Sequence, residues 1–204
     1  MPASSASPTV RAPAPTSAKY PGHIPGEAGI WVLVLGDMTV FGLMFACFTW
    51  YRAQSLELYL QSQATLDQTL GMANTLLLLT SSWFVALAMA AIRAARRVQA
   101  ARLLALAFAC GAGFIGLKVI EYGAKIGAGI TLTTNEFYTF YFVLTGLHML
   151  HVLVGMGVLA LLWRRARAAA ATADEGLWME GGATFWHMVD LLWIVIFPLL
   201  YLLQ

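Results

Sequence analysis

His187 and Asp190 stand three residues apart in the segment Glu180-Gly-Gly-Ala-Thr-Phe-Trp186-His187-Met-Val-Asp190-Leu-Leu-Trp193. On a helix that spacing puts an imidazole and a carboxylate on one face, where they can share a proton. An apolar run continues from there to Leu203. Ionised side chains cost roughly 2.5–3.5 kcal/mol each at the centre of a membrane helix on insertion scales, and they persist there with a partner or a role. Asp37 poses the same question in Val-Leu-Gly-Asp-Met-Thr-Val-Phe. It is either protonated or paired, and it serves either as a proton or lipid-headgroup contact or as a hydrogen-bonded packing residue. His148 and His151 share a helix face in Leu-Thr-Gly-Leu-His-Met-Leu-His-Val. Lys118 and Glu121 in Gly-Leu-Lys-Val-Ile-Glu-Tyr are expected to pair as a structural element near a span end, with the lysine snorkelling to the interface.

The histidines raise metal or haem chemistry. His151 with His187, on facing helices, matches the axial pair of a b-type cytochrome in number, with His148 nearby. Copper or zinc needs three or four converging ligands. Hydrogen-bonded histidines are the commoner arrangement, and no metal site is expected. The chain has no Gly-rich phosphate loop, serine-nucleophile motif or cysteine cluster. It also lacks the paired broken helices of many transporters. No catalytic residue is assigned.

These groups must be carried by membrane helices. Of 204 residues, 60% are hydrophobic and only 11% charged, with a mean hydropathy of +0.73; soluble domains are about 25% charged. A net charge of +2 gives no reason to expect nucleic acid. The apolar runs are continuous rather than alternating, which selects helices over a β-barrel. Five runs have the roughly 20 residues a crossing needs. They fall near 28–50, 70–92, 102–124, 137–163 and 183–203, giving an all-α, polytopic bundle over residues 27–204. Residues 1–26 hold six of the seven prolines among Ala, Ser and Thr; they read as a disordered cytoplasmic tail without the apolar core of a signal peptide.

Arginine and lysine set the orientation. Arg11, Lys19, Arg93, Arg96, Arg97, Arg102, Arg164, Arg165 and Arg167 would lie on one side, against Arg52 and Lys125 on the other. Nine against two predicts a cytoplasmic N-terminus and an external C-terminus. Asp37, His151, His187 and Asp190 would then share the cytoplasmic half, in one polar seam joining the first, fourth and fifth spans. The 51–69 loop is expected to be external and partly helical. Cys47 and Cys110 are expected to be buried and unbridged. Ala109, Ala112, Gly113 and Gly116, with Gly36, Gly42, Gly155 and Gly157, are expected at helix contacts. Trp31, Trp50, Tyr51, Trp83, Tyr122, Trp163, Trp178, Trp186 and Tyr201 read mostly as interfacial anchors. Trp193 is expected to pack deeper, and Pro198 to bend the last helix.

Three segments resemble the cytochrome c oxidase subunit III family, the third subunit of haem-copper oxidases. Glu180 through Trp186-His187-x-x-Asp190-x-x-Trp193 is similar to the family's Glu-Ala-Ala-Ala-Trp-Tyr-Trp-His-Phe-Val-Asp-x-x-Trp. Thr145-Gly146-Leu147-His148-Met-Leu-His151-Val152-x-x-Gly155 is similar to its Thr-Gly-Phe-His-Gly-x-His-Val-x-x-Gly. The third is Glu121-Tyr122. Asp37 stands where the family's helix typically carries an embedded Glu. With five spans the chain looks like the short bacterial form. Its opening Pro25-Gly26-Glu27-x-Gly29-Ile30-Trp31 and Gly36-Asp37-Met38 resemble the branch labelled nitric oxide reductase accessory protein. The resemblance implies a non-catalytic inner-membrane subunit with no cofactor of its own. It would bind phospholipid and sustain proton uptake by a haem-copper subunit I, with subunit II alongside; haem and copper would reside in those partners. Asp37, Glu121, His148, His151, Glu180, Trp186, His187, Asp190 and Trp193 are the candidate structural, proton or lipid contacts.

Overall fold

The computed structural model describes residues 28–168 and 175–203. Among them are six helices: α1 (Ala28–Gln54), α2 (Leu56–Gln63), α3 (Gln68–Arg93), α4 (Arg97–Gly127), α5 (Glu136–Arg167) and α6 (Glu175–Phe197), the last continuing as a π turn, Pro198–Leu202. Five of them are long and apolar enough to cross a membrane. The chain is an all-α, polytopic membrane protein. The proposed tail, residues 1–26, lies outside the described residues.

Neighbouring helices pack in a ring, α3 on α4, α4 on α5, α5 on α6 and α6 back on α3. The α1 helix lies against α5 and α6 from outside that ring, and short α2 packs against α1 and the start of α5. Helix starts are fixed by side chains that accept otherwise unpartnered N–H groups. Asp67 accepts from Thr69 and Leu70 at 2.9 and 3.2 Å, and Asn135 accepts from Tyr138 at 2.9 Å. In α2, Tyr59 is fully buried, edge-on to Phe48 and Phe137. Burial, with Glu136 and Tyr51 nearby, pushes its hydroxyl up to about 12.

Helices α3 and α4 end alike. After α4, Gly129 takes φ 77° while Gly129 and Ile130 donate back to Ile126 and Lys125. After α3, Ala95 takes φ 58° while Ala95 and Arg96 donate to Ile92 and Ala91. Both are Schellman closures, but only the first has glycine at the left-handed position. An alanine there carries a Cβ penalty of about 1 kcal/mol or more. Ala95→Gly is therefore expected to stabilise the α3–α4 hairpin by about 1 kcal/mol, less the entropy a glycine adds to the unfolded chain. The readout is the thermal midpoint in detergent; a lowered midpoint would contradict this turn.

Pro198 has no N–H for the Ile194 carbonyl, and the helix responds by widening its register, with Leu203 N–H reaching Pro198 O at 3.1 Å. Side chains from three other helices then close the free carbonyls. Gln63 donates to Leu199 and Leu200, both at 3.2 Å, Gln68 to Tyr201 at 3.1 Å, and Arg52 to Leu203 at 2.8 Å.

Several expectations are corrected. The last helix begins at Glu175, about two turns before 183, although Gly176, Gly181 and Gly182 lower its propensity. Close packing explains the last two glycines: a Cβ on Gly181 would come within 2.8 Å of Ile30, and one on Gly182 within 2.9 Å of Val158. Of the glycines expected at contacts, Gly155 and Gly113 meet neighbours, whereas Gly36, Gly42, Gly116 and Gly157 face open space. Ala109 and Ala112 point outward. Cys47 is exposed and Cys110 half-buried, both free, on outer faces of their helices. Trp186 and Tyr201 are core residues, 1% and 0% exposed, rather than interfacial anchors.

Candidate functional site

The polar groups within the bundle separate into three clusters instead of one seam. The first joins α1 to α5. Asp37 Oδ2 lies 3.2 Å from His151 Nε2, both side chains half-buried. The other ring nitrogen, Nδ1, is 2.8 Å from the Leu147 carbonyl. A carbonyl only accepts, so Nδ1 carries a hydrogen there. The Nε2–Oδ2 contact must then hold one further proton, on the imidazole as an ion pair or on the carboxyl as a neutral pair. The edge of Phe41 packs against the imidazole, 5.6 Å between centroids.

The second cluster joins α3 to α6. His187 and Asp190 are linked through Ser82, a residue the sequence reading passed over. Ser82 Oγ is 2.6 Å from His187 Nδ1 and also hydrogen-bonds the Asp190 carboxyl. Asp190 Oδ1 is buried without a partner. The signal was present in Thr80-Ser81-Ser82, three hydroxyls together within an apolar span. Ser81, fully buried, closes the neighbouring contact by donating to the Ala107 carbonyl at 2.9 Å.

The third cluster is the deepest. Lys118 is 1% and Glu121 2% exposed, so the lysine does not snorkel. Glu121 Oε2 receives Lys118 Nζ at 3.0 Å, while Oε1 receives the Tyr141 and Tyr201 hydroxyls at 2.8 and 2.5 Å. Lys118 also donates to Tyr201 Oη at 2.8 Å. Its ammonium lies 4.9 Å from the Trp193 ring and 5.2 and 5.3 Å from those of Tyr141 and Tyr201. The rings supply a partial negative face to a cation that water cannot reach. Tyr122 extends the polar chain to Thr145.

Trp193 ties the third cluster to α3. Its indole N–H donates to Thr75 Oγ1 at 3.0 Å, and its ring meets Phe114 edge-on at 4.9 Å. His148, fully buried, packs between Phe114 and Trp193, and neither of its ring nitrogens has a hydrogen-bond partner. Trp186 fills the gap between Gly111 and Gly155. Glu180 sits in the second turn of α6, where its carbonyl accepts from Thr184 Oγ1 at 2.9 Å.

His151 and His187 thus face different partners and do not form an axial pair. Among the described residues no three His, Cys, Asp or Glu side chains converge as metal ligands. What the arrangement can do is hold protons and seal a bundle. It also shapes a cleft of about 700 Å³ between α1, α5 and α6, lined by Leu33, Val158, Leu161 and Phe185 and capped by Arg165 over the Trp178 ring at 5.2 Å.

Fold and clusters define a helical membrane protein whose embedded polar groups are mostly spent on one another. Residues 64–204 match the family model described as cytochrome c oxidase subunit III, and this chain belongs to that family, the third subunits of haem-copper oxidases. It is 30% identical over 176 residues to cytochrome c oxidase subunit 3 of Thermostichus vulcanus, covering 86% of each chain. It is 27% identical to cytochrome bo(3) ubiquinol oxidase subunit 3 of Pseudomonas aeruginosa, covering 86% of this chain and 83% of that one. Quinol oxidase subunit 3 of Bacillus subtilis is also 27% identical, over 86% and 85%.

Proposed function

We propose that this chain is the non-catalytic third subunit of a respiratory haem-copper terminal oxidase in a bacterial inner membrane, with its N-terminus cytoplasmic. It docks on the haem-copper subunit I, with subunit II in the same complex, and sustains proton uptake by subunit I. The observation that carries this reading is the family match across α3–α6, joined by relatives named as third subunits of both cytochrome c and quinol oxidases. The chain's own residues supply support rather than turnover. Lys118–Glu121 and Ser82–His187–Asp190 fix the helices. Asp37–His151, half-buried on the outer helix, holds one exchangeable proton. The α1/α5/α6 cleft, apolar with a single arginine beside a tryptophan at its end, suits a phospholipid: acyl chains along Leu33 and Leu161, phosphate at Arg165. Haem and copper chemistry belongs to the partner subunits.

The test is affinity purification of the chain from native membranes in mild detergent, read by mass spectrometry and a reduced-minus-oxidised spectrum. Co-purification of a haem-copper subunit, with haem lost when that partner is stripped away, is expected. The donor and acceptor that this partner uses distinguish a cytochrome c from a quinol oxidase, and either from a nitric oxide reductase. Haem retained by the isolated chain, or a chain that purifies alone and colourless, overturns the assignment. Asp37→Asn is expected to leave assembly intact while shortening the complex's active lifetime during turnover. An unchanged lifetime removes the proton role of this pair.

A further inference from the structure

At the arginine-rich end of the bundle a second groove runs between the start of α4 and the end of α5. It has a volume of about 500 Å³ and shares no residue with the α1/α5/α6 cleft. Its rim is basic. Arg97 Nη1 donates to the Ala168 carbonyl at 2.7 Å, tying the end of α5 to the start of α4. Arg102 lies about one turn further along α4 and is exposed. The Arg167 guanidinium lies 4.8 Å over the Trp163 ring. Among the described residues no carboxylate lines the groove. Its wall turns apolar toward the middle of the helices, through Ala105 and Trp163, while Val98 (70% exposed) stands beside Arg97 at the mouth. Arg165, which serves the other cleft, is two positions from Arg167 and so on the opposite side of α5.

We propose that this groove binds an anionic phospholipid of the phosphatidylglycerol or cardiolipin type. The phosphate lies among Arg97, Arg102 and Arg167, and an acyl chain runs along Ala105 and Trp163. Guanidinium groups grip phosphate oxygens bidentately, and basic pockets at the ends of membrane helices select such headgroups. The apolar wall decides between a lipid and a free phosphate, since an inorganic anion would leave Ala105 and Trp163 with nothing to contact.

Trp163 reports occupancy directly. The full chain, in nanodiscs of phosphatidylcholine, is doped with phosphatidylglycerol carrying brominated acyl chains, and the Trp163 signal is isolated by subtracting Trp163→Phe. Quenching is expected at far lower doping than with brominated phosphatidylcholine. R102Q/R167Q is expected to cut that preference about thirtyfold, while R102K/R167K keeps most of it. Equal quenching by the two lipids, a preference indifferent to R102Q/R167Q, or displacement by excess inorganic phosphate overturns the proposal. So does loss of the preference in Arg165→Gln, which would assign the lipid to the other cleft. The readout needs no oxidase partner, so failure of the chain to capture one leaves it intact.

Discussion

Glu121→Ala is expected to lower the stability of the bundle by about 3–5 kcal/mol, the range for breaking one side of a buried ion pair. Glu121 accepts from Lys118, Tyr141 and Tyr201 at once. Its removal leaves an ammonium 1% exposed with only a phenol oxygen to accept from it, and it strands the Tyr141 hydroxyl. The rings around Lys118 offset part of this, at about 0.5–2 kcal/mol for a cation over an aromatic face. They do not replace the countercharge. Glu121→Gln keeps two acceptor lone pairs and should cost less. K118M/E121L should recover most of the loss, because an apolar pair of similar volume removes both desolvated charges together. Unfolding in mixed micelles, followed by tryptophan fluorescence, measures all three. A loss below about 1 kcal/mol for Glu121→Ala would mean the charge pair does not hold α4, α5 and the π turn together.

The second large effect is expected at Gly155. A Cβ there would stand 2.7 and 2.9 Å from Cε3 and Cζ3 of Trp186. The indole has no room to retreat, because Gly111 flanks it from α4, where an added Cβ would come within 3.1 Å. Between membrane helices close contact itself, rather than escape from water, drives association. Gly155→Val should therefore cost about 1–3 kcal/mol or more through overpacking. Gly157→Ala, two residues on and facing open space, should stay within about 0.5 kcal/mol of wild type. Equal effects at the two positions would contradict Trp186 as the wedge between α4 and α5.

The five crossings were legible because length and hydropathy alone demand them, and four of them have ends within about five residues of the observed helices. The fifth failed at its start: the stretch 164–182, with Asp174, Glu175 and Glu180 at its acidic end, read as a loop, whereas Gly181 and Gly182 are where α1 and α5 press against α6. The embedded ionisable residues were legible as unusual, but their partners were not. Lys118 looked ready to snorkel since nothing nearby in sequence reveals Tyr201, 83 residues on. His187 and Asp190 looked like a direct pair; their spacing is right, but the hydroxyl between them comes from α3. Helix faces were the weakest inference. In a bilayer an outward face is as apolar as an inward one, so Ala109 and Ala112 carry no mark separating them from Gly111.

The carbonyl-closing role of Arg52, Gln63 and Gln68 sets an order for biogenesis. All three side chains, and Oε1 of Glu121, wait for partners in the stretch 198–203. A ribosome that has delivered α1 to α5 has inserted a lysine and a glutamate whose enclosure is unfinished, since Tyr201 and Trp193 arrive last. The nascent bundle stays open on that side until the turn Pro198–Leu202 is synthesised. Membrane proteases and insertases would meet a chain that advertises incompleteness through one exposed ion pair, and maturation would be announced by that pair's disappearance.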